Sequence, residues 1–385
     1  MFFLTEQDPN FRIKGSRDPL GFQTLWQSLG RTVVRHLSTV SVNLRDFQIL
    51  SYAWYFYGNR DPKNFLPFFY RFEQAYGFAR GAYIPGDAFN GIDFVRKNLG
   101  NKSFTFSNKS QHTLLSNQKS YGIYGKYNRP FTEMGIKEQN DFEDVMEISL
   151  KEKVNFDELQ SKVMVLLSQN ETSMSLEDIK IFADSISTIH ERERKFYKEH
   201  ILQTDGTHVQ NELFELLEQY DDLSQYNQFN LFAFIQALRN KNISEDLDQK
   251  LKEIEQSEQV LAPFVYLFKT LQSEALWDRN KIEEQAIFDS LPKSFEHPFK
   301  TEIIADLNKS FASNPYEIAL KAVSRNNFIS ENRGNAAWIK QENNKLITCY
   351  ADGKRYFNSV HVGQDFEHTY FLPSYVSMYN QIMKR

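Results

Sequence analysis

Aromatic and aliphatic side chains recur three or four residues apart over most of this chain, and that spacing commits it to helices. Asp18-Pro19 opens the first. Asp accepts hydrogen bonds from the free N–H groups of a first turn, and Pro sits where no donor is needed. Phe22, Leu25, Trp26, Leu29 and Val33 then form one stripe, which puts Arg31 and Arg35 on the opposite, solvent-facing side at ~100° per residue. A second aromatic helix is expected over 44–57, with Phe47, Leu50, Trp54 and Tyr57 as its buried row and Gly58-Asn59 as its stop. Asp61-Pro62 repeats the start signal, and Pro67 is expected to reset the helix before the aromatic run 68–78. Pro85-Gly86-Asp87 leads into a segment over 89–99 that Gly100 closes.

From 101 to 135 the texture changes to Ser, Asn, Gly, Tyr and Lys, which reads as a long ordered loop or a few short strands. Tyr121, Tyr124 and Tyr127 among Gly122 and Gly125 point to packing rather than to a free linker. Beyond Ile136 amphipathic helices follow one another. Ser175-Leu176-Glu177-Asp178 is a variant capping box, and its helix is expected to pass Ile181, Ile189 and Phe196 until Gly206. Further helices are expected over 209–220, 229–238 and 247–260, with Pro263 separating the last from an apolar 264–271 segment; no fixed repeat period is visible. Asn314-Pro315 opens a helix to about Val323. Two short apolar runs, 337–339 and 346–350, then flank Glu342-Asn343-Asn344 as a hairpin, and Asp352-Gly353 offers a second turn before Tyr356-Phe357. A last helix follows Pro373. Helix followed by hairpin is the skeleton of a winged helix. The expected fold is mainly α, with multi-helix N-terminal and middle regions and a small α/β, winged-helix-like C-terminal module; the expected domains are 1–135, 136–312 and 313–385.

Charge is distributed unevenly along the 385 residues. The net charge of −5 resolves into +8 over 1–135, −15 over 136–330 and +2 over 331–385. Opposite potentials attract different partners, so nucleic acid is expected at the basic parts and protein partners at the acidic middle. The cations expected to meet phosphates are Arg12, Lys14 and Arg17 before the first helix, Arg31 and Arg35 on it, and Lys102, Lys109, Lys119, Lys126 and Arg129 in the following loop. Arg325, Arg333, Lys340 and Lys345 add a second set on the C-terminal helix end and wing. Tyr and Phe among these cations are suited to stack on unpaired bases.

Catalytic chemistry is not written in any motif. His190 and Glu193 share a helical face, but His200 lies nearly three turns away, so the run 190–195 reads as a solvated face of ion pairs rather than a metal site. Glu158-Leu159-Gln160-Ser161-Lys162 does not make a nuclease signature, and no phosphate-cradling glycine loop occurs. Cys349 alternates with buried-type residues and reads as a small core residue; as the single cysteine it excludes an intrachain disulfide and fits a reducing compartment. No catalytic residue, metal or cofactor is assigned. No apolar run approaches the roughly 20 residues of a membrane span, and Met1-Phe2-Phe3-Leu4 is too short for a signal peptide, so a cytoplasmic protein without a membrane partner is expected.

Arg17-Asp18-Pro19-Leu20-Gly21 before an aromatic helix, and Tyr121-Gly122-Ile123-Tyr124-Gly125-Lys126-Tyr127 leading to Met134-Gly135-Ile136, resemble a loose group of uncharacterised bacterial proteins. In that group an Asp-Pro-Leu-Gly opening precedes a helical domain, and members accompany anti-phage defence or mobile-element genes. The resemblance covers chiefly 12–136 and carries over no catalytic residues. It implies a role in a multi-protein defence or DNA-processing system. The expected function is a non-catalytic subunit that binds nucleic acid and partner proteins. The alternatives are an adaptor without nucleic-acid contact and a nuclease whose carboxylates meet only in the fold.

Overall fold

Several helices in this protein begin at a side chain that caps them. In the computed structural model, which describes residues 18–204, 206, 208–225, 230–349, 357–361, 363–364 and 366–384, Asn43, Asn155, Ser244 and Asn314 each accept a hydrogen bond from a first-turn backbone N–H. Ser175 and Asp178 close a reciprocal box. The result is mainly helical, with two small antiparallel sheets. No helix among the described residues is long and apolar enough to cross a membrane.

Contacts gather the chain into two units, Met1–Val33 with Tyr226–Tyr370, and Val34–Gln225 with Phe371–Arg385. Neither follows the limits at 135 and 312. The charge contrast along the sequence also dissolves: by sequence the first unit holds 21 Lys+Arg against 23 Asp+Glu, a net −2, and the second holds 24 against 27, a net −3. Basic and acidic stretches far apart in the chain are folded into the same body.

In the first unit the helix Glu245–Leu271 is the spine, burying Leu247, Leu251, Ile254, Leu261, Phe264 and Phe268 along one side. Strand Leu276–Trp277, helix Arg279–Glu283, helix Glu302–Ser310, helix Pro315–Asn332 and strands Ile339–Glu342 and Lys345–Thr348 follow. The three strands lie in the order first, third, second, all antiparallel, with Trp277 opposite Leu346 and Glu342 opposite Lys345. Strand Leu276–Trp277 thus joins the hairpin from outside it, pairing with the hairpin's second strand. The hairpin lies within the 313–385 segment in which it was expected, and its third strand comes from before that segment. Trp277 is fully buried and donates Nε1–H to Leu271 O at 2.7 Å, tying the first strand to the end of the spine. Helix Gln23–Gly30 packs on the same spine. Glu258 fastens the 366–370 segment there, accepting from the backbone N–H of Glu367 and His368 and from the Tyr370 hydroxyl at 2.5, 3.0 and 2.5 Å.

The second unit is built on aromatic helices Leu44–Tyr57 and Phe65–Tyr83, with helix Leu176–Ser187 packed against the latter. Trp54 stacks on Phe65 with ring centroids 3.6 Å apart, and Phe72 and Tyr76 meet Phe182 edge-on. Strand Ser103–Ser107 pairs antiparallel with Glu171–Ser175. The C-terminal helix Leu372–Met383 belongs here: Gln381 accepts the Leu44 N–H, and the Tyr375 and Tyr379 hydroxyls donate to Leu202 O and Leu217 O.

Several expectations are corrected. Pro67 does not reset a helix, because it lies in the first turn of Phe65–Tyr83, where its missing N–H has no partner to lose. Pro263 sits inside the unbroken 27-residue spine, held by the packing on both sides of it. The helix from Ser175 ends at Ser187, and a new one, Glu191–Tyr197, starts from a box made by His190 and Glu193. Glu191, Arg192 and Lys195 are exposed as a solvated face requires, but Glu193 departs from it: it is 0% exposed, bonded to Tyr52 and ion-paired with Lys153. Within 101–135, helices Gln118–Tyr121 and Ile123–Glu133 stand where a loop or strands were expected. Cys349 is exposed, one residue past the last strand, and is not a core residue. The turn expected at Asp352-Gly353 lies outside the described residues.

Candidate functional site

The wing is a two-residue hairpin. Asn343 and Asn344 take φ of 49° and 61°, the pair of left-handed conformations that lets two strands reverse with the right twist, and Asn tolerates both. Ile339 and Leu346 are buried, which by strand alternation turns Lys340, Glu342, Lys345 and Ile347 to the other face. Lys340 and Lys345 are exposed there, and Glu342 lies directly opposite Lys345. Tyr316 pins the wing to the helix Pro315–Asn332 by donating its hydroxyl to Asn344 O at 3.1 Å.

That helix follows Glu302–Ser310 after a four-residue turn, the arrangement in which helix-turn-helix proteins present a recognition helix. Its exposed face is mixed: Glu317, Ser324, Phe328 and Glu331 are exposed, while Lys321 is paired with Asp306 at 2.5 Å. Its C-terminal half is covered by the chain's own Asp18-Pro19-Leu20-Gly21. Arg325 Nε donates to Leu20 O at 2.9 Å, Asn326 Nδ2 to Pro19 O at 2.9 Å, and Arg333 to Asp18 O and Oδ2 at 2.6 and 3.0 Å. Asp18 meanwhile accepts the Phe22 N–H at 2.8 Å, so one residue caps the first helix and anchors the segment. Gly21 has φ +66°, and a Cβ there would come within 2.3 Å of Ile329 Cδ1. Only glycine meets both conditions.

The other expected phosphate contacts do not converge. Arg31 is the half-buried C-cap of Gln23–Gly30, whereas Arg35 is exposed beyond that helix and belongs to the second unit, so the two do not share a helix face. In the second unit Lys102 and Lys119 are exposed, Lys109 pairs with Glu171 at 2.5 Å and Arg129 with Glu133 at 2.7 Å. Lys126 is half-buried at the edge of a cavity. Arg12, Lys14 and Arg17 lie outside the described residues.

Sequence reasoning missed a buried polar cluster in the second unit. Arg80, 1% exposed, donates Nη1–H to Asp46 at 2.6 Å and Nε–H to Asp87 at 2.7 Å; Arg45 reaches the other Asp87 oxygen at 3.2 Å. Phe89 covers the guanidinium face at 4.3 Å. One turn and more away, Glu73 accepts the Ile123 N–H at 2.5 Å and the Gln118 Nε2–H at 2.7 Å, and burial raises its carboxyl to about 7 despite those donors. The available signal was the presence of Arg71, Glu73, Gln74 and Arg80 in a helix aromatic on every side, where no polar face exists to solvate them. Although the fold brings Asp46, Glu73 and Lys126 together, Asp46 and Asp87 are occupied by Arg80 rather than turned to a common metal position. Among the described residues no group of three or more His, Cys, Asp or Glu could hold a metal ion. No family model, curated protein sequence or solved structure matches this chain.

Proposed function

We propose that the chain is a non-catalytic binding subunit that touches nucleic acid through the winged-helix module, with protein partners supplying the rest of a bacterial defence or DNA-processing assembly. The observation that carries this reading is the wing itself: a hairpin turned by Asn343-Asn344 with Lys340 and Lys345 exposed on one face, beside a helix in the recognition position. Exposed cations at a wing are suited to phosphate oxygens, which position a protein without specifying sequence. With a net −2 on the unit and Glu342 between the two lysines, the contact is weak and depends on few phosphates. A salt titration with duplex and single-stranded probes tests this. A slope of log affinity against log salt near −2 is expected, about 0.9 per phosphate on duplex DNA, and no binding at low salt overturns the reading.

A second reading, an adaptor that uses the same module to hold a protein, has its own supporting observation. Arg325 and Arg333 are spent on Leu20 and Asp18, and Phe328 stands 55% exposed on the helix they flank. A partner captured through Phe328, lost on Phe328→Asp with the fold intact, favours it.

A further inference from the structure

Arg80, Glu73 and Lys126 border a cavity of about 20 Å³ in the second unit, walled by Gly77, Phe89 and Leu114 and by the Tyr121-Gly122-Ile123 segment. Two of the residues there are committed. Asp46 takes Arg80 Nη1–H and the Tyr127 hydroxyl, and the Glu73 oxygens take Ile123 N–H and Gln118. The remaining guanidinium nitrogen, Arg80 Nη2, is buried and has no hydrogen-bond partner. An arginine so enclosed with one donor face unused is destabilising unless something accepts from it.

We propose that this cavity is a receptor for one carboxylate group, which accepts from Arg80 Nη2 and from the Lys126 ammonium. The charges fit. Arg45, Arg80 and Lys126 balance Asp46, Asp87 and Glu73 when all are ionised, and with Glu73 protonated the cluster is left with one positive charge. The groups facing Glu73 are Asp46 from Leu44–Tyr57, Arg80 and Tyr70 from its own helix, Lys126 from Ile123–Glu133, and Gln118. Its carboxyl, raised to about 7 by burial, makes the neutral form available near neutral pH, where it does not repel the incoming carboxylate. The cavity is small: about 20 Å³ holds little more than one water-sized group, which favours a planar carboxylate over a bulkier phosphate. At the rim Asn90 donates Nδ2–H to Tyr121 O at 2.9 Å, and Tyr121 is 48% exposed beside whatever carries the group, a small acid or a peptide.

Titration of the full chain with ¹³C-acetate, followed by NMR and by thermal shift, tests the proposal at pH 6 and pH 8. Saturable binding to one site is expected, tighter at pH 6 than at pH 8 by up to about tenfold, and at least tenfold weaker in Lys126→Met. Glu73→Gln, a neutral isostere, is expected to bind at both pH values alike. Arg80→Lys is expected to abolish binding; should that variant not fold, Lys126→Met alone carries the test. Acetylated dipeptides with a free or an amidated C-terminus separate the sources: a gain over acetate only with the free acid assigns a peptide terminus, and no gain assigns a small acid. No saturable binding, equal binding in Lys126→Met, or inorganic phosphate binding as tightly as acetate overturns the proposal.

Discussion

Gly122 lies against the Glu73 carboxylate: a Cβ at that position would stand 2.6 Å from Glu73 Oε1 and 2.5 Å from Gln118 O. The contact gives the Gly/Tyr segment a physical meaning, since a glycine is needed for the Ile123 N–H to reach that carboxylate. Gly122→Ala is expected to cost about 1–3 kcal/mol, the usual penalty of overpacking a site that cannot relax. Gly100→Ala, with open space around it, is expected to cost well under that. Urea unfolding of the two variants checks the contrast, and equal costs would contradict it.

Glu73 also predicts a pH dependence. Its folded value of about 7 lies above the ordinary 4.5, so the native state binds this proton more tightly than the unfolded chain. The contribution is fully present below 4.5 and is lost as pH rises through 7. The difference corresponds to the order of ~3 kcal/mol for a fully buried group. Glu73→Gln keeps the group neutral, so its stability relative to wild type is expected to rise from pH 5 to pH 8. A flat difference across that window would show that Glu73 titrates normally.

Lys153 and Glu193 form an enclosed ion pair, 4% and 0% exposed at their side chains, with the Tyr52 hydroxyl on the same carboxylate. Removing one partner leaves a charge buried without compensation. Lys153→Met alone is expected to cost about 3–5 kcal/mol, and Lys153→Met with Glu193→Gln to recover a large part of it. A double-mutant cycle by chemical unfolding measures the recovery, and strict additivity would contradict the pairing.

Arg333 and Gly21 hold the same N-terminal segment by different means. Arg333 is an exposed partner of Asp18, so Arg333→Ala is expected to cost about 0–1 kcal/mol. Gly21→Ala meets both a positive φ and Ile329, and is expected to cost about 1–3 kcal/mol. Thermal unfolding of the two variants ranks them, and a larger loss for Arg333→Ala would contradict the packing described here.

Local signals in the sequence were legible where one residue decides the outcome. Ser175 with Asp178, Asn314-Pro315 and Asn343-Asn344 start or turn their elements as their side chains dictate, and the helix 44–57 has the expected limits. What was not legible depends on residues distant in the chain. Trp277 completes the three-stranded sheet from 69 positions before its partner Leu346, and no spacing rule links them. The first strand is only two residues long, too short for an alternation to show. Glu193 reads as a surface charge because periodicity does not reveal that a neighbouring helix covers it. The same limit affected the expected phosphate contacts: Arg325 and Arg333 were counted as available cations, but Leu20 and Asp18, some 300 residues earlier, accept their hydrogen bonds.

Contact between the hairpin lysines and nucleic acid is measured most directly by fluorescence anisotropy of a labelled duplex at low salt with wild type and Lys340→Ala/Lys345→Ala. These side chains are exposed and hold no part of the core, so the variant is expected to fold as wild type does. The double variant is expected to lose binding at least tenfold, with a salt slope lower by about 2. Unchanged affinity in that variant, or wild type that does not bind at all, would contradict that contact.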